Sequence, residues 1–355
     1  MRATDIMLVG PAGKPTGGIA QYIREQRERL GDGVSVRVYD VAVADTDSPS
    51  AFVRAVLHAM WQALCFPFRR PPDVLHVHSS HWYSFFQSSL YVLYAAVVWR
   101  VPVILHVHGS SFDSFVQSDS RLLRWYQSLV FDHCANVIVL SEYWRDVVGP
   151  RVGQEKTTVL PNAVDPDEYD PTYGARPPHV VFVSNHIERK GIREFVDAVE
   201  QLSARGEEFR VTIAGSGPLS HLSEDLAERH PEVTYEGYVS EERKRELLGE
   251  GSVFVLPTHA ENLPIALLEA MAGGNALLST TVGAIPSLID DNGVLVSPGD
   301  PDSLAASLSD LVNDPERVDE MGRKSRERVE EEYSWPVTVE RLEALYRGLK
   351  QCETN

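Results

Sequence analysis

The chain has 355 residues, 43% of them hydrophobic and 24% charged, which is the balance of a folded globular protein and more chain than one hydrophobic core usually serves. A formal net charge of −18 argues against a nucleic-acid backbone as the partner. Cys65, Cys134 and Cys352 are widely spaced and fit no metal or redox pattern, so a reducing, cytoplasmic setting without a structural disulfide is expected.

The first apolar run, Ile6 to Val9, is too short for a secretory leader and reads as a strand. The glycine-rich stretch Gly10 to Ile19 follows it, with Gly17 and Gly18 adjacent, and leads into an amphipathic helix over Ala20 to Leu30. Adjacent glycines at a helix start let a ligand approach the backbone closely. Trp61, Leu64, Phe66 and Phe68 stand beside Arg69 and Arg70, and Trp82, Tyr83, Phe85 and Phe86 come soon after. Such a group suits either a core or an interfacial surface facing acidic headgroups, so a peripheral contact at the inner face of a membrane stays open. Leu90 to Leu105, interrupted by Arg100 and Pro102, reads as a helix and a strand rather than a span.

Further strands are expected at Val34 to Val38, Val74 to Val77, Val103 to His106 and Val137 to Leu140, the alternation of a doubly wound parallel sheet. Two of them end in His76-Val77-His78 and His106-Val107-His108. Residues two apart share a strand face, so a metal site is conceivable there, but no Cys or acidic ligand accompanies the imidazoles. From Pro161 to Pro178 the chain is rich in proline and reads as a linker.

The alternation then restarts, with strands expected at Val180 to Val183, Val211 to Ala214, Val233 to Tyr235, Val253 to Leu256, Ala276 to Ser279 and Val294 to Val296. Ser184 to Gly191, carrying Asn185, Arg189 and Lys190, follows the first of these. The run Ala214-Gly215-Ser216-Gly217-Pro218 lacks the third glycine of a dinucleotide fingerprint, so no nicotinamide cofactor is expected. After Leu256 the loop holds Glu261, Asn262 and Leu263; Asn262 can cap a helix running from Pro264 through Ile265 and Glu269 to Ala272. The triplets Asp45-Thr46-Asp47, Asp165-Pro166-Asp167 and Asp300-Pro301-Asp302 lie in turns, where turn chemistry and capping by Asp302 account for them, and no catalytic metal is expected. Helices are expected over Ser303 to Val312, Pro315 to Glu332 and Val339 to Leu349.

Glu261, Glu269 and the small-residue tail Ala270 to Gly274 resemble the paired-glutamate motif of retaining GT-B glycosyltransferases of family 4, the glycosyl transferases group 1. The resemblance implies an α/β GT-B fold, two Rossmann-like doubly wound parallel-sheet domains facing a cleft. It places an acceptor-side domain over 1–160, completed by a C-terminal helix near 335–350, a linker over 161–178, and a nucleotide-sugar domain over 179–332. It implies that Gly17 and Gly18 lie against the donor phosphates and the acceptor, and that His108 touches the transferred sugar. Lys190 matches the family's diphosphate lysine. Asn185 stands where an arginine is usual, so either Asn185 acts as a neutral donor or Arg189 supplies the charge. Gly215 and Gly217 correspond to the turn near the nucleotide, and Tyr238 and Val239 to the strand end whose main chain reads the base. Glu261 would hold sugar hydroxyls, Glu269 the ribose, and Asn262, Leu263, Pro264 and Ile265 the helix start under the leaving group.

The implied activity is metal-independent transfer of a sugar, of hexosyl type, from a nucleoside-diphosphate sugar to a glycan or lipid-linked acceptor, with no cofactor. Surface polysaccharide, glycolipid or glycan assembly is its usual setting. A sugar-nucleotide epimerase of the same fold is one rival reading, and a non-catalytic, donor-binding partner protein is the other.

Overall fold

Short runs of Val, Ile and Leu flanked by turn residues give strands buried on both faces, which is how parallel sheets covered by helices read in sequence. In the computed structural model, residues 3–12, 18–41, 49–80, 82–109 and 112–352 are described. The chain divides into two compact units, one of Met1–Pro161 with Thr338–Asn355 and one of Asn162–Val337.

The first unit runs β1 (Thr4–Gly10), α1 (Gly18–Arg29), β2 (Val34–Asp40), α2 (Pro49–Cys65), β3 (Val74–Ser79), α3 (Tyr83–Tyr94), β4 (Val103–Val107), α4 (Phe112–Val116), α5 (Arg121–Asp132), β5 (Asn136–Val139), α6 (Glu142–Val152) and β6 (Thr157–Val159). Its sheet has the order β2-β1-β3-β4-β5-β6, with every pairing parallel. The second unit runs β7 (His179–Val183), α7 (Ile192–Arg205), β8 (Arg210–Ala214), α8 (Ser220–Arg229), β9 (Val233–Gly237), α9 (Glu241–Glu250), β10 (Val253–Leu256), α10 (Ile265–Ala272), β11 (Ala276–Thr280), β12 (Gly293–Val296), α11 (Pro301–Val312) and α12 (Pro315–Glu332). Its order is β12-β11-β10-β7-β8-β9, again all parallel. Both units are Rossmann-like, as two helix-covered parallel sheets require.

The last helix, α13 (Trp335–Cys352), joins the first unit from Thr338 onward. Leu342 and Tyr346 enter that unit's core beside Ile6, Leu8 and Ile23, and the Tyr346 hydroxyl accepts from Gln26 Nε2 at 2.8 Å.

Three expectations need correction. The stretch 161–178 is not a free linker: from Asn162 on it is part of the second unit, Thr172 N donating to Gly249 O at 2.8 Å. Arg326 Nη1 also donates to the carbonyls of Pro166 and Tyr169 at 2.7 and 3.1 Å. Proline stiffness reads as a linker in sequence, but the carbonyls it leaves free are claimed by a half-buried arginine. The N-cap of α10 is Pro264 (φ −70°, ψ 121°) rather than Asn262, whose carbonyl instead accepts from Ala284 N at 3.0 Å. Asp300, not Asp302, caps α11, taking the Ser303 N–H at 3.0 Å, and Asp302 accepts from Gln201 at 3.1 Å. The short edge strand β6 has no counterpart among the expected strands, because Thr157-Thr158-Val159 carries no apolar run.

Candidate active site

The second sheet grows outward in both directions from the β7–β10 pair. Loops leaving the C-terminal ends of these two strands go to different faces and open a crevice between them, the place where open α/β sheets take ligands. Asn185, Arg189 and Lys190 lie on the loop after β7, and Glu261 to Pro264 on the loop after β10. Gly191 (φ +74°) lets the two loops meet, since a Cβ there would stand 1.9 Å from the Pro257 carbonyl oxygen. The Arg189 carbonyl then accepts from His259 N at 2.8 Å and from Thr258 Oγ1 at 2.9 Å.

That backbone seam brings opposite charges together. The Lys190 ammonium donates to Glu261 Oε1, and Arg189 Nη1 approaches the same oxygen at 3.1 Å while donating to Ala260 O at 2.6 Å. The side chains of Lys190 and Glu261 are 14% and 11% exposed, so the pair is largely shielded from water. Asn185 is exposed and uncharged on the same loop, and the second cation beside Glu261 comes from Arg189. Leu263 is buried, and its carbonyl accepts from Asn162 Nδ2 at 2.7 Å, which ties the Pro161-Asn162-Ala163 run to the start of α10. The first N–H groups of α10, at Ile265 and Ala266, have no intrahelical acceptor and carry the positive end of the helix dipole.

Beside this pair lies an open pocket of about 260 Å³ whose walls include Asn185, Lys190, Gly215, Val239, Ala266 and Glu269. Gly215 (φ +120°) packs against Ser184 so closely that a Cβ would stand 1.9 Å from its carbonyl oxygen. Gly217 packs under His186 outside the pocket wall. Tyr238 lines the pocket at its lip and is 83% exposed. Glu269 is buried on α10, and Lys244 of α9 reaches it at 2.7 Å and Glu241 at 2.7 Å. Burial pushes the Glu269 carboxyl above its ordinary range, against the pull of Lys244. Lys244 is itself largely buried, which works to lower it, yet Glu269 and Glu241 together hold it above the ordinary lysine range.

Lys244 is the residue that sequence reasoning missed. Within Glu241-Glu242-Arg243-Lys244-Arg245-Glu246 it looks like one more solvated charge, but Leu247 and Leu248 stand three and four positions on, which puts Lys244 on the inner face.

In the first unit, α1 starts at Gly18, while Gly17 lies outside the described residues, as do Asp45 and Asp47. His108 follows β4, its backbone N–H donating to Ser79 O at 2.8 Å. The four strand-end histidines form one cluster, in which His76 Nε2 and His106 Nδ1 share a hydrogen bond at 3.3 Å and His78 Nδ1 and His108 Nε2 one at 3.0 Å. Tyr346 and Gln26 hold His76 Nδ1 at 2.7 and 3.3 Å. Ring nitrogens of His76, His78 and His106 lie within 4.8 Å of one another. Burial lowers His76 to about 3, with His108 adding to the effect, and lowers His108 to about 3; His78 is pushed well below the usual range by burial and by His76 and His108, and His106 by burial and by His108, His78 and His76. All four are neutral imidazoles at pH 7, so His108 offers hydrogen bonds and no charge.

Residues 7–163 match the Glycosyl transferase 4-like domain and residues 177–314 match Glycosyl transferases group 1. The chain is 28% identical over 202 residues to MMP alpha-(1->4)-mannosyltransferase of Mycolicibacterium hassiacum, covering 55% of this chain and 49% of that protein. It is 28% identical over 177 residues to alpha-D-kanosaminyltransferase of Streptomyces kanamyceticus, covering 48% and 46%. It thus spans about half the length of the curated relatives it matches. Among solved structures, sucrose-phosphate synthase of Thermosynechococcus elongatus superposes with a TM-score of 0.78 at 18% identity, over 98% of this chain and 100% of that one. HepE of Anabaena in complex with UDP-glucose superposes with a TM-score of 0.70 at 15% identity, over 97% and 100%. At these identities the likeness carries the fold.

Proposed function

The chain belongs to the GT-B glycosyltransferases of group 1, family 4, and from that membership we propose that it transfers a sugar from a nucleoside-diphosphate sugar to an acceptor hydroxyl with retention of anomeric configuration. The observation that carries this reading is the shielded Lys190–Glu261 pair at the β7–β10 crevice, with exposed Arg189 as a second cation on the same carboxylate, beside a pocket lined by Lys190 and Glu269. A diphosphate entering the crevice competes for both cations. Glu261, released from them, becomes an acceptor for the hydroxyls of the donor sugar.

In the reaction, the bond from the anomeric carbon to the diphosphate oxygen breaks as the acceptor oxygen bonds on the same face, and the acceptor proton passes to the departing diphosphate. Lys190 and the N–H groups opening α10 stabilise the charge that develops on the leaving oxygen. Glu269, oriented by Lys244, takes the ribose hydroxyls; the main chain at Tyr238 and Val239 faces the base, next to Gly215. His108, neutral, hydrogen-bonds the transferred sugar. With two cations and a helix start assigned to the diphosphate, no metal has a step to perform.

We assign the acceptor to the glycan or lipid-linked class, in surface polysaccharide, glycolipid or glycan assembly, and uridine nucleotides are the first donors to try. The test is a panel of UDP-, GDP-, ADP- and dTDP-sugars, read by thermal shift and then by transfer in the presence of EDTA, with the product's anomeric configuration read by NMR. A new glycosidic bond of retained configuration, formed in EDTA, is the expected result. An isomerised free sugar nucleotide, binding without turnover, inversion, or full loss on chelation restored by a divalent ion would each overturn part of the reading.

A further inference from the structure

Helix α2 is inside out. Its buried face carries Ala55, and Gln62 on that side donates to Asp40 O at 2.7 Å, while the Tyr39 hydroxyl donates to Gln62 O at 2.6 Å. Its outward face carries Val53, Val56, Leu57, Met60, Trp61 and Leu64, spaced i, i+3/i+4, i+7, with Trp61 65% and Leu64 64% exposed. A water-facing helix normally shows the reverse pattern, and a continuous exposed apolar stripe marks a surface meant to be covered.

Charge says what covers it. Of the 51 acidic residues in the chain, only Asp73 falls between Pro49 and Phe112, and Lys350 neutralises it at 2.8 Å. Over the same stretch Arg54 flanks the stripe, and exposed Phe68 runs on into exposed Arg69 and Arg70. In a protein of net charge −18 this stretch combines arginine, tryptophan and aliphatic side chains with a single carboxylate. That is the composition of a helix lying in a bilayer interface, with the aliphatic groups among acyl chains, tryptophan at the boundary and arginines on headgroup phosphates. Exposed aromatic and aliphatic side chains continue at Trp82 and, on α3, which packs against α2, at Tyr83, Phe86 and Leu90.

We infer that α2 and the following Phe68-Arg69-Arg70 turn form a docking surface for an anionic lipid bilayer. Carboxylates excluded from this stretch would be repelled by such a surface, and they crowd the rest of the chain. The inference stands apart from the proposed reaction, because no donor-site residue takes part in it.

The test uses the full chain with vesicles of phosphatidylcholine alone and with 30% phosphatidylglycerol, floated at low and high salt. Binding to the anionic vesicles that falls at least tenfold at high salt, with little binding to neutral ones, is expected. Two variants report separately: Trp61→Glu with Leu64→Glu abolishes flotation, and Arg69→Glu with Arg70→Glu weakens it about tenfold or more and flattens the salt dependence. Both keep donor binding, and the Trp61→Glu, Leu64→Glu pair keeps the wild-type melting temperature because those side chains are exposed; Arg69 lies over the Tyr39 ring at 5.5 Å, so the arginine pair's flotation is compared at a temperature well below its own melting point. Absence of flotation at low salt, equal binding to neutral vesicles, or unchanged binding of the Trp61→Glu, Leu64→Glu variant would overturn the inference. So would a lipid-free dimer that this variant converts to monomer, since the stripe would then face a second copy.

Discussion

Replacing Lys244 by Met removes the ammonium that Glu269 meets at 2.7 Å and leaves that buried carboxylate without its counterion. Breaking a buried ion pair from one side costs about 3–5 kcal/mol. Glu269 has an escape, because burial already raises its pKa and loss of Lys244 raises it further, so it can take up a proton instead. The sign follows: a folded-state pKa raised above the unfolded one gives stability that is complete at low pH and lost as pH rises through the folded value. Lys244→Met is therefore penalised most above neutrality and least in mild acid, changing by at most about 1.4 kcal/mol per pH unit. For a unit of this size, about 3 kcal/mol lowers the melting temperature by roughly 6–12 °C at pH 8, with a smaller loss near pH 5.5. Calorimetry of wild type, Lys244→Met, Glu269→Gln and the double variant at both pH values reads it. The double variant should recover much of the loss at pH 8. A Lys244→Met penalty independent of pH, or a double variant no better than the single, refutes the reasoning.

Two further outcomes follow. The histidine cluster makes the first unit acid-labile: with folded pKa values of about 3 for His76 and His108 against an ordinary 6.5, each imidazole's contribution is whole above 6.5 and lost as pH falls toward the folded value. At pH 5 that is about 2 kcal/mol per imidazole, so a steep fall in melting temperature between pH 7 and pH 5 is expected, and a flat profile would contradict the burial of the cluster. Arg189→Ala should raise the donor KM several-fold while Asn185→Ala changes it little, measured by initial rates over donor concentration; the reverse order would move the diphosphate contact to Asn185.

Backbone architecture was legible because parallel strands buried on both faces are apolar runs, and Val253 to Leu256 or Val180 to Val183 can hardly be anything else. The edge strand β6 was not, since two threonines and a valine at an edge have no buried face to advertise. Glu261 and Lys190 could be singled out by their motifs, but their pairing could not, because it depends on Gly191 letting two loops distant in sequence touch through their backbones. Lys244 was hidden for a different reason. A charged helix reads as solvated until one knows which buried carboxylate its inner face meets. Trp61 and Leu64 on α2 left core and interface both open for the same reason, as periodicity gives a face and not the direction it points.

The central claim is that Lys190 serves the departing diphosphate, and the rate of sugar transfer by Lys190→Ala tests it most directly. With the fold intact by melting temperature, kcat/KM is expected to fall about a hundredfold, roughly 3 kcal/mol of transition-state stabilisation. Near wild-type turnover in that variant would contradict the account.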